Sequence, residues 1–140
     1  MPQDYYDGKI TGEFLIMFRR DAIGQRRFEK GLYGSENTLW IYLFDLPAYY
    51  LHDAVRIYRF HRSDSVTINS FKRPLCIMKG YAMTAELILQ KIAEKNAQAS
   101  ANGANSADPK FRVNDAHIAI LYKMAAYYAK FGGEYKKMYE

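Results

Sequence analysis

The stretch from Thr38 to Arg62 constrains this chain more than any other part of its sequence, because it is apolar, aromatic and basic at once. It contains the only tryptophan, Trp40, together with three arginines and two histidines. Large apolar side chains seek the core, whereas arginines seek water or an anionic partner. The stretch must therefore contribute both to the core and to a surface.

Its first half has the pattern of a buried strand. In Thr38–Phe44, the aromatic residues Trp40, Tyr42 and Phe44 alternate with aliphatic ones. A strand would place the two sets on opposite faces, and both faces would be apolar. Strands of that kind lie at the centre of a sheet. We therefore expect a central strand here.

The second half has the pattern of a helix. Asp45 is suited to the N-cap, and Pro47 follows in the first turn. An apolar arc runs along Pro47–Arg62, and the opposite arc mixes rings with basic groups. That outer arc consists of Tyr49, His52, Arg56, Arg59 and Phe60. The alternative is that the N-terminal segment covers the two rings while Asp53 and Asp64 pair with the arginines.

Two more stretches suggest strands. Lys9–Arg20 contains five consecutive apolar residues, which fit a buried strand, although a short buried helix also fits a run of this length. Val66–Met78 resembles a hairpin, since Leu75–Met78 forms a second apolar run and Gly80 ends it.

Two further helices are predicted, over Met83–Gln98 and Ala116–Lys130. Thr84 is a candidate cap for the first of them. Asn114 or Asp115 would cap the second, and Gly132-Gly133 would end it. The second helix has apolar residues nearly all round, with Lys123 and Lys130 as a polar ridge.

The resulting fold class is α+β: a small, mainly antiparallel sheet with about three helices packed on it. The 140 residues suit one domain. Residues 97–110 are rich in Ala, Asn and Ser, so we expect a flexible linker before the C-terminal helix. Residues 1–8 are expected to be frayed, or lightly pinned by Tyr5 and Tyr6.

Composition gives an expectation for compartment. The single cysteine, Cys76, cannot form an intramolecular disulfide, so no oxidising compartment is implied. The N-terminal residues have no basic start followed by an apolar run, and no window approaches the ~20 apolar residues that span a bilayer. The sequence therefore predicts a soluble cytoplasmic protein with no membrane partner.

Catalytic and metal-binding signatures are not found in the sequence. The histidines His52, His61 and His117 match no zinc spacing. The glycines form no phosphate-binding loop, and no nucleophile elbow is present. We therefore expect no metal, no cofactor and no enzymatic activity, with an unrecognised small enzyme as a less favoured alternative.

Positive charge is concentrated in the first half of the chain. The net charge is +5, and eight of the nine arginines precede Gly80. Guanidinium groups together with aromatic planes favour phosphates and bases. The sequence thus predicts a small basic nucleic-acid-binding protein that uses the outer arc of the helix Pro47–Arg62. Four further arginines would add charge to it: Arg19, Arg20, Arg26 and Arg27.

Two alternatives stay open. The thirteen tyrosines and the arginines would also serve as hot spots for an acidic protein surface. The chain would then be an interaction module, such as an adaptor or inhibitor from a phage or mobile element. The helix Ala116–Lys130 could also form a homodimer contact. The arginines could also have no binding role and simply pair with neighbouring Asp and Glu residues on the surface.

Overall fold

The computed structural model describes residues 2–9, 16–33, 35–47, 72–101 and 111–133, and these residues contain helices but no strand. The helices are α1 (Pro2–Tyr6), α2 (Arg20–Ile23), α3 (Asn37–Trp40), α4 (Pro74–Ala101) and α5 (Asp115–Gly132). The predicted α+β class with an antiparallel sheet is therefore wrong for the described part of the chain, which is helical.

The stretch predicted as a central strand forms α3 and the turns after it. The N–H of Ile41 donates to Asn37 O at 3.1 Å, and the N–H of Leu43 donates to Trp40 O at 2.8 Å. These local bonds satisfy the backbone without a neighbouring strand. Leu39 and Ile41 are buried as expected, because an unbroken apolar run is compatible with either element.

The expected strand Leu75–Met78 is the beginning of α4. Pro74 is the first residue of this helix, a position where its missing N–H removes no helical bond. Gly80, predicted to end the strand, is buried within the helix, and a Cβ there would collide with the Ser35 hydroxyl. Glycine at this position thus allows α4 to pass close to Ser35, and it does not mark a turn of the chain.

Several other predicted elements fall largely outside the described residues. They include residues 66–69 of the hairpin, residues 48–62 of the predicted helix and residues 10–15 of the first strand. The described remainder of the first strand, residues 16–19, has no regular structure, and α2 begins at Arg20.

The two long helices pack on each other and form the frame of the molecule. Both helices are confirmed, but only the extent of α5 agrees with the prediction Ala116–Lys130; α4 contains Met83–Gln98 and begins nine residues earlier, at Pro74. They run antiparallel: a Cβ at Gly132 would meet Leu75 at one end, and Asn96 binds Phe111 at the other. Neither helix combines the length and hydrophobicity needed to cross a bilayer, nor does any shorter helix of the described part.

The cap predicted at Thr84 is wrong. Thr84 lies inside α4, where its hydroxyl donates to Gly80 O at 2.8 Å. The caps predicted for α5 are confirmed. Asn114 Oδ1 accepts from the His117 N–H at 3.2 Å, and Gly133 ends the helix with a φ of 74°. Residues 97–101 belong to α4, and residues 102–110 lie outside the described part.

The N-terminal segment is a structural element rather than a frayed end. Tyr6 is fully buried and Tyr5 nearly so. The Tyr5 ring stacks on Phe44 with centroids 3.8 Å apart, and Tyr6 meets Phe111 edge-on at 6.3 Å. Aromatic rings bury more area than most side chains, so even a short helix can be held by two of them.

Hydrogen bonds fix the same segment to the chain before α5. Gln3 Nε2 donates to Arg112 O at 3.0 Å, and Gln3 Oε1 accepts from the Arg112 N–H at 3.0 Å. His117 Nδ1 lies 2.7 Å from Tyr6 O. The sequence could not show these contacts, because their partners are more than a hundred positions apart.

Candidate functional site

The described arginines of the predicted site are adjacent in sequence to Phe18 and Phe28, two rings that pack on Trp40 of α3. We call this the basic–aromatic surface. It consists of Phe18, Arg19, Arg20, Arg26, Arg27, Phe28, Trp40 and Tyr42. The four arginines are all exposed, so their guanidinium groups are accessible to a ligand, and their role in binding stays a prediction.

Trp40 organises the aromatic part of the basic–aromatic surface. Phe18 meets its ring at 5.3 Å with an interplanar angle of 59°, and Phe28 meets it edge-on at 5.4 Å. Phe18 is 42% exposed and Phe28 is 53% exposed. The three rings pack on one another while Phe18 and Phe28 stay partly exposed, so they form an ordered apolar platform on the surface and not a part of the core.

Tyr42 joins this platform to the basic groups. The Arg26 guanidinium lies 4.7 Å from the Tyr42 ring centroid, and Lys91 Nζ of α4 lies 5.0 Å from it. Both cations are thus within the range of cation–π attraction. Tyr42 therefore positions two positive groups that come from distant parts of the sequence.

The other arginines differ in how much of their charge is engaged. Arg19 forms a two-point ion pair with Asp21, and this bond lowers the pKa of the Asp21 carboxyl. Arg27 Nη1 donates to Gly24 O at 3.0 Å and to Arg26 O at 2.6 Å. Among the described residues, no group forms an ion pair or a hydrogen bond with the Arg20 side chain. Within the described residues, local pairing with an acid thus accounts for Arg19 but not for Arg20 or Arg27.

A small open cleft of about 220 Å³ adjoins the platform at Phe28. Its lining residues are Phe28, Glu29, Leu32, Ser35, Glu36 and Thr38. The cleft combines the edge of an aromatic ring with carboxylates and hydroxyls. The ring can contact an apolar side of a ligand, and the carboxylates and hydroxyls can form hydrogen bonds with its hydroxyl groups.

The other half of the predicted site lies outside the described residues. This applies to Tyr49, His52, Arg56, Arg59 and Phe60, so their grouping on one helix face stays a prediction. Sequence reasoning missed Phe18, Phe28 and Trp40 as surface residues. A signal for them existed: Phe18 directly precedes Arg19-Arg20, and Phe28 directly follows Arg26-Arg27.

Several carboxylates of the described part have structural partners. Lys9 Nζ lies 2.9 Å from Asp7 and 3.6 Å from Asp4, and its hydrogen bond helps to lower the pKa of Asp7. Asp45, proposed as a helix cap, binds Lys95 Nζ at 2.6 Å. Within the described ranges, no three His, Cys, Asp or Glu side chains meet in a way that could hold a metal ion.

Comparison with known proteins relates the chain to an enzyme. It is 36% identical over 138 residues to a Campylobacter jejuni protein named GalNAc(5)-diNAcBac-PP-undecaprenol beta-1,3-glucosyltransferase. The match covers 99% of this chain but only 40% of that relative's length. No protein-family model matches the chain, and no solved structure matches it.

This similarity corrects the functional prediction. Because nearly the whole chain aligns with an enzyme, the prediction of a non-enzymatic nucleic-acid-binding protein is wrong, and so is the prediction of no enzymatic activity. The alternative of an interaction module is set aside on the same ground. The error has a chemical reason: arginines beside aromatic rings suit any ligand that joins phosphate to a flat or apolar group.

Proposed function

We propose that this chain works in a glycosyltransferase that adds a sugar to a saccharide carried on a polyprenyl diphosphate. The observation that carries the proposal is the 36% identity, which extends over 138 residues and almost the whole chain. The relative's name specifies a glucosyl group, a β-1,3 linkage and an acceptor joined to undecaprenol through a diphosphate. We transfer the general reaction to this chain, not the identity of the sugars.

In such a reaction, a hydroxyl of the acceptor saccharide attacks the anomeric carbon of an activated sugar, and the donor's leaving group departs. The diphosphate between the acceptor and its lipid stays intact. That diphosphate is therefore a handle for binding rather than a reacting group, and a protein can hold it with positive side chains throughout the reaction.

The basic–aromatic surface has groups that suit this acceptor. Guanidinium groups form paired, charge-assisted hydrogen bonds with phosphate oxygens. Arg20 and Arg27 are exposed and not engaged by a carboxylate in the described part of the chain. The rings of Phe28 and Trp40 lie nearby, where their apolar surface can pack on the C–H side of a sugar ring. These features support acceptor binding as the contribution of this surface.

A deletion tests the proposed reaction in the host organism. Removing the coding region and measuring the polyprenyl-diphosphate-linked saccharides by mass spectrometry should reveal an acceptor that lacks one sugar. Restoring the coding region should restore the full saccharide. An unchanged set of lipid-linked saccharides in the deletion strain would contradict the proposal.

A transfer assay tests it with the purified protein. Incubation with a nucleotide-activated hexose and a short-chain polyprenyl-diphosphate saccharide should yield a product one hexose heavier. The variant Arg20→Ala with Arg27→Ala should raise the acceptor concentration needed for half-maximal rate, with less effect on the rate at saturation. Lys72→Ala, which removes an exposed positive charge outside the basic–aromatic surface, is the control.

A further inference from the structure

The outward side of α5 carries a second exposed apolar surface. Ile120, Tyr127 and Phe131 follow one another at i, i+7 and i+11, which places them within about 40° of one another around the helix. They are 58%, 46% and 56% exposed, respectively. We call these three residues the α5 stripe.

The inward side of α5 already supplies the residues with which this helix packs in the core. Its buried residues are Ile118, Leu121, Ala125 and Ala129. A globular protein needs one apolar face on a helix that packs on a neighbour. The α5 stripe is thus additional to what packing on α4 requires.

Positive charge accompanies the α5 stripe. Lys123 and Lys130 are exposed, and the helical rotation places both on the same flank of the stripe. The single acidic residue of α5, Asp115, lies in its first turn. The outer side of α5 is therefore apolar and cationic together.

The rings of the stripe are held in fixed positions. Tyr127 meets Phe131 edge-on at 4.9 Å and Tyr128 at 5.5 Å. Tyr128 stacks on Tyr81 of α4 at 6.0 Å, so the ring cluster is anchored to the helical frame. Because these side chains are already ordered, docking would cost them little conformational entropy.

We propose that the outer side of α5 docks on an anionic phospholipid surface. Ile120, Tyr127 and Phe131 would enter the headgroup region, and Lys123 and Lys130 would contact the lipid phosphates. This combination of apolar, aromatic and lysine side chains is typical of helices that lie in the membrane interface. The inference rests on the proposed function, since an acceptor carried on polyprenol resides in a bilayer.

This docking does not require a helix that crosses the bilayer, and none of the described helices could cross one. The sequence-based expectation of no membrane partner considered only segments that cross the bilayer, and a helix lying in the interface has no such signature. A second copy of the chain is a weaker candidate for the same surface. Pairing two such helices would bring four lysines together, and α5 offers no acidic residue beyond its first turn to neutralise them.

Vesicle binding by the whole 140-residue chain tests the proposal. The protein should sediment with vesicles of phosphatidylcholine and phosphatidylglycerol, and less so as salt rises. Ile120→Ser with Phe131→Ser should lower the partition coefficient by about tenfold or more. Lys123→Gln with Lys130→Gln should lower it roughly fivefold per lysine on these anionic vesicles.

A matched variant on another surface provides the control. Met17→Ser with Lys30→Gln removes one exposed apolar side chain and one exposed lysine away from α5, and it should bind vesicles like the unaltered protein. Absence of vesicle binding, or full binding by Ile120→Ser with Phe131→Ser, would overturn the proposal. A second result would also overturn it: the unaltered protein does not bind vesicles, and light scattering shows that it forms a dimer. In that case Ile120→Ser with Phe131→Ser should dissociate the dimer.

Comparing two acceptors separates this proposal from the proposed function. The variant Ile120→Ser with Phe131→Ser should transfer sugar normally to a water-soluble short-chain acceptor but poorly to a long-chain acceptor in vesicles. Equal transfer to both acceptors would reject the docking and leave the enzymatic function standing. Stripe-dependent vesicle binding without transfer to either acceptor would reject the enzymatic function and leave the docking standing.

Discussion

Asn96 joins the end of α4 to the chain before α5 through two hydrogen bonds with the backbone of Phe111. Its Nδ2 donates to Phe111 O at 2.8 Å, and its Oδ1 accepts from the Phe111 N–H at 3.2 Å. Lys95 reinforces the same corner, since its Nζ binds Asp45 at 2.6 Å and lies 5.0 Å from the Phe111 ring centroid. One side chain thus closes the long connection between the two main helices.

Replacing Asn96 with alanine should therefore lower stability more than its partly buried position on a polar helix face suggests. Two hydrogen bonds are lost and two backbone groups of Phe111 lose their partner, so we expect a loss of about 1–3 kcal/mol in the free energy of unfolding. Urea unfolding measures it. Gln98→Ala, at an exposed position of the same helix, should change it by less than about 0.5 kcal/mol. Equal effects of the two substitutions would contradict the bridging role.

The two long helices were predictable because their signals are local. The apolar spacing of Leu87, Ile88 and Ile92 and the Asn114 cap both act within one or two turns of the chain. The strand predictions failed where the local signal is ambiguous. An unbroken apolar run such as residues 39–44 suits a helix or a strand, and tertiary contacts then decide between them.

Gly8 provides a second test of the N-terminal packing, because two separate constraints act on it. Its φ of 70° disfavours a side chain, and a Cβ would lie 2.9 Å from the His117 ring. Gly31 has a φ of 83° but open space around it. Gly31→Ala should therefore cost about 1 kcal/mol and Gly8→Ala clearly more. Thermal unfolding compares the two, and equal losses would show that the His117 contact is unimportant.

The N-terminal segment shows what sequence patterns cannot supply. Residues 1–8 are polar and turn-like, and no local feature marks Tyr6 as part of the core. Its burial depends on Phe111 and on the His117 ring near its carbonyl, both more than a hundred positions away. Long-range packing of this kind has no periodic signature, so the sequence left open whether the segment is frayed or pinned by Tyr5 and Tyr6, and the structure shows the pinned arrangement.

The buried tyrosines of α1 should make the protein sensitive to alkali. Burial raises the pKa of Tyr6 to about 12, and it raises the pKa of Tyr5 further. In the unfolded chain both ionise near pH 10. Between pH 10 and 12 the unfolded state therefore binds fewer protons than the folded state, and the free energy of unfolding falls as pH rises.

The expected slope is up to about 1.4 kcal/mol per pH unit for each buried tyrosine. Urea unfolding at pH 8, 10 and 11 measures it. Tyr6→Phe removes one ionising group together with a buried hydroxyl that has no hydrogen-bond partner among the described residues, so the fall should become shallower. Tyr122→Phe, at an exposed position, should leave the fall unchanged. An unaltered slope in Tyr6→Phe would contradict this explanation.

The candidate site was half predictable. Clustered arginines at positions 19, 20, 26 and 27 are visible in the sequence and are exposed in the structure. Their aromatic neighbour Trp40 was assigned to the core, because a strand at Thr38–Phe44 would have buried it. Once that segment forms α3, Trp40 turns to meet Phe18 and Phe28. An error in secondary structure thus became an error in the site.

Trp40 makes ligand binding at the basic–aromatic surface directly measurable, since it is the only tryptophan of the chain. Farnesyl diphosphate, a short polyprenyl diphosphate, should change its fluorescence if the diphosphate binds beside it, and binding should weaken as salt rises. Arg20→Ala with Arg27→Ala should weaken binding about tenfold or more, because each charge-assisted hydrogen bond contributes about 1.5–3 kcal/mol. Lys72→Ala should bind like the unaltered protein. Equal weakening by Lys72→Ala would indicate a general effect of net charge, and unchanged binding by the arginine variant would place the diphosphate elsewhere.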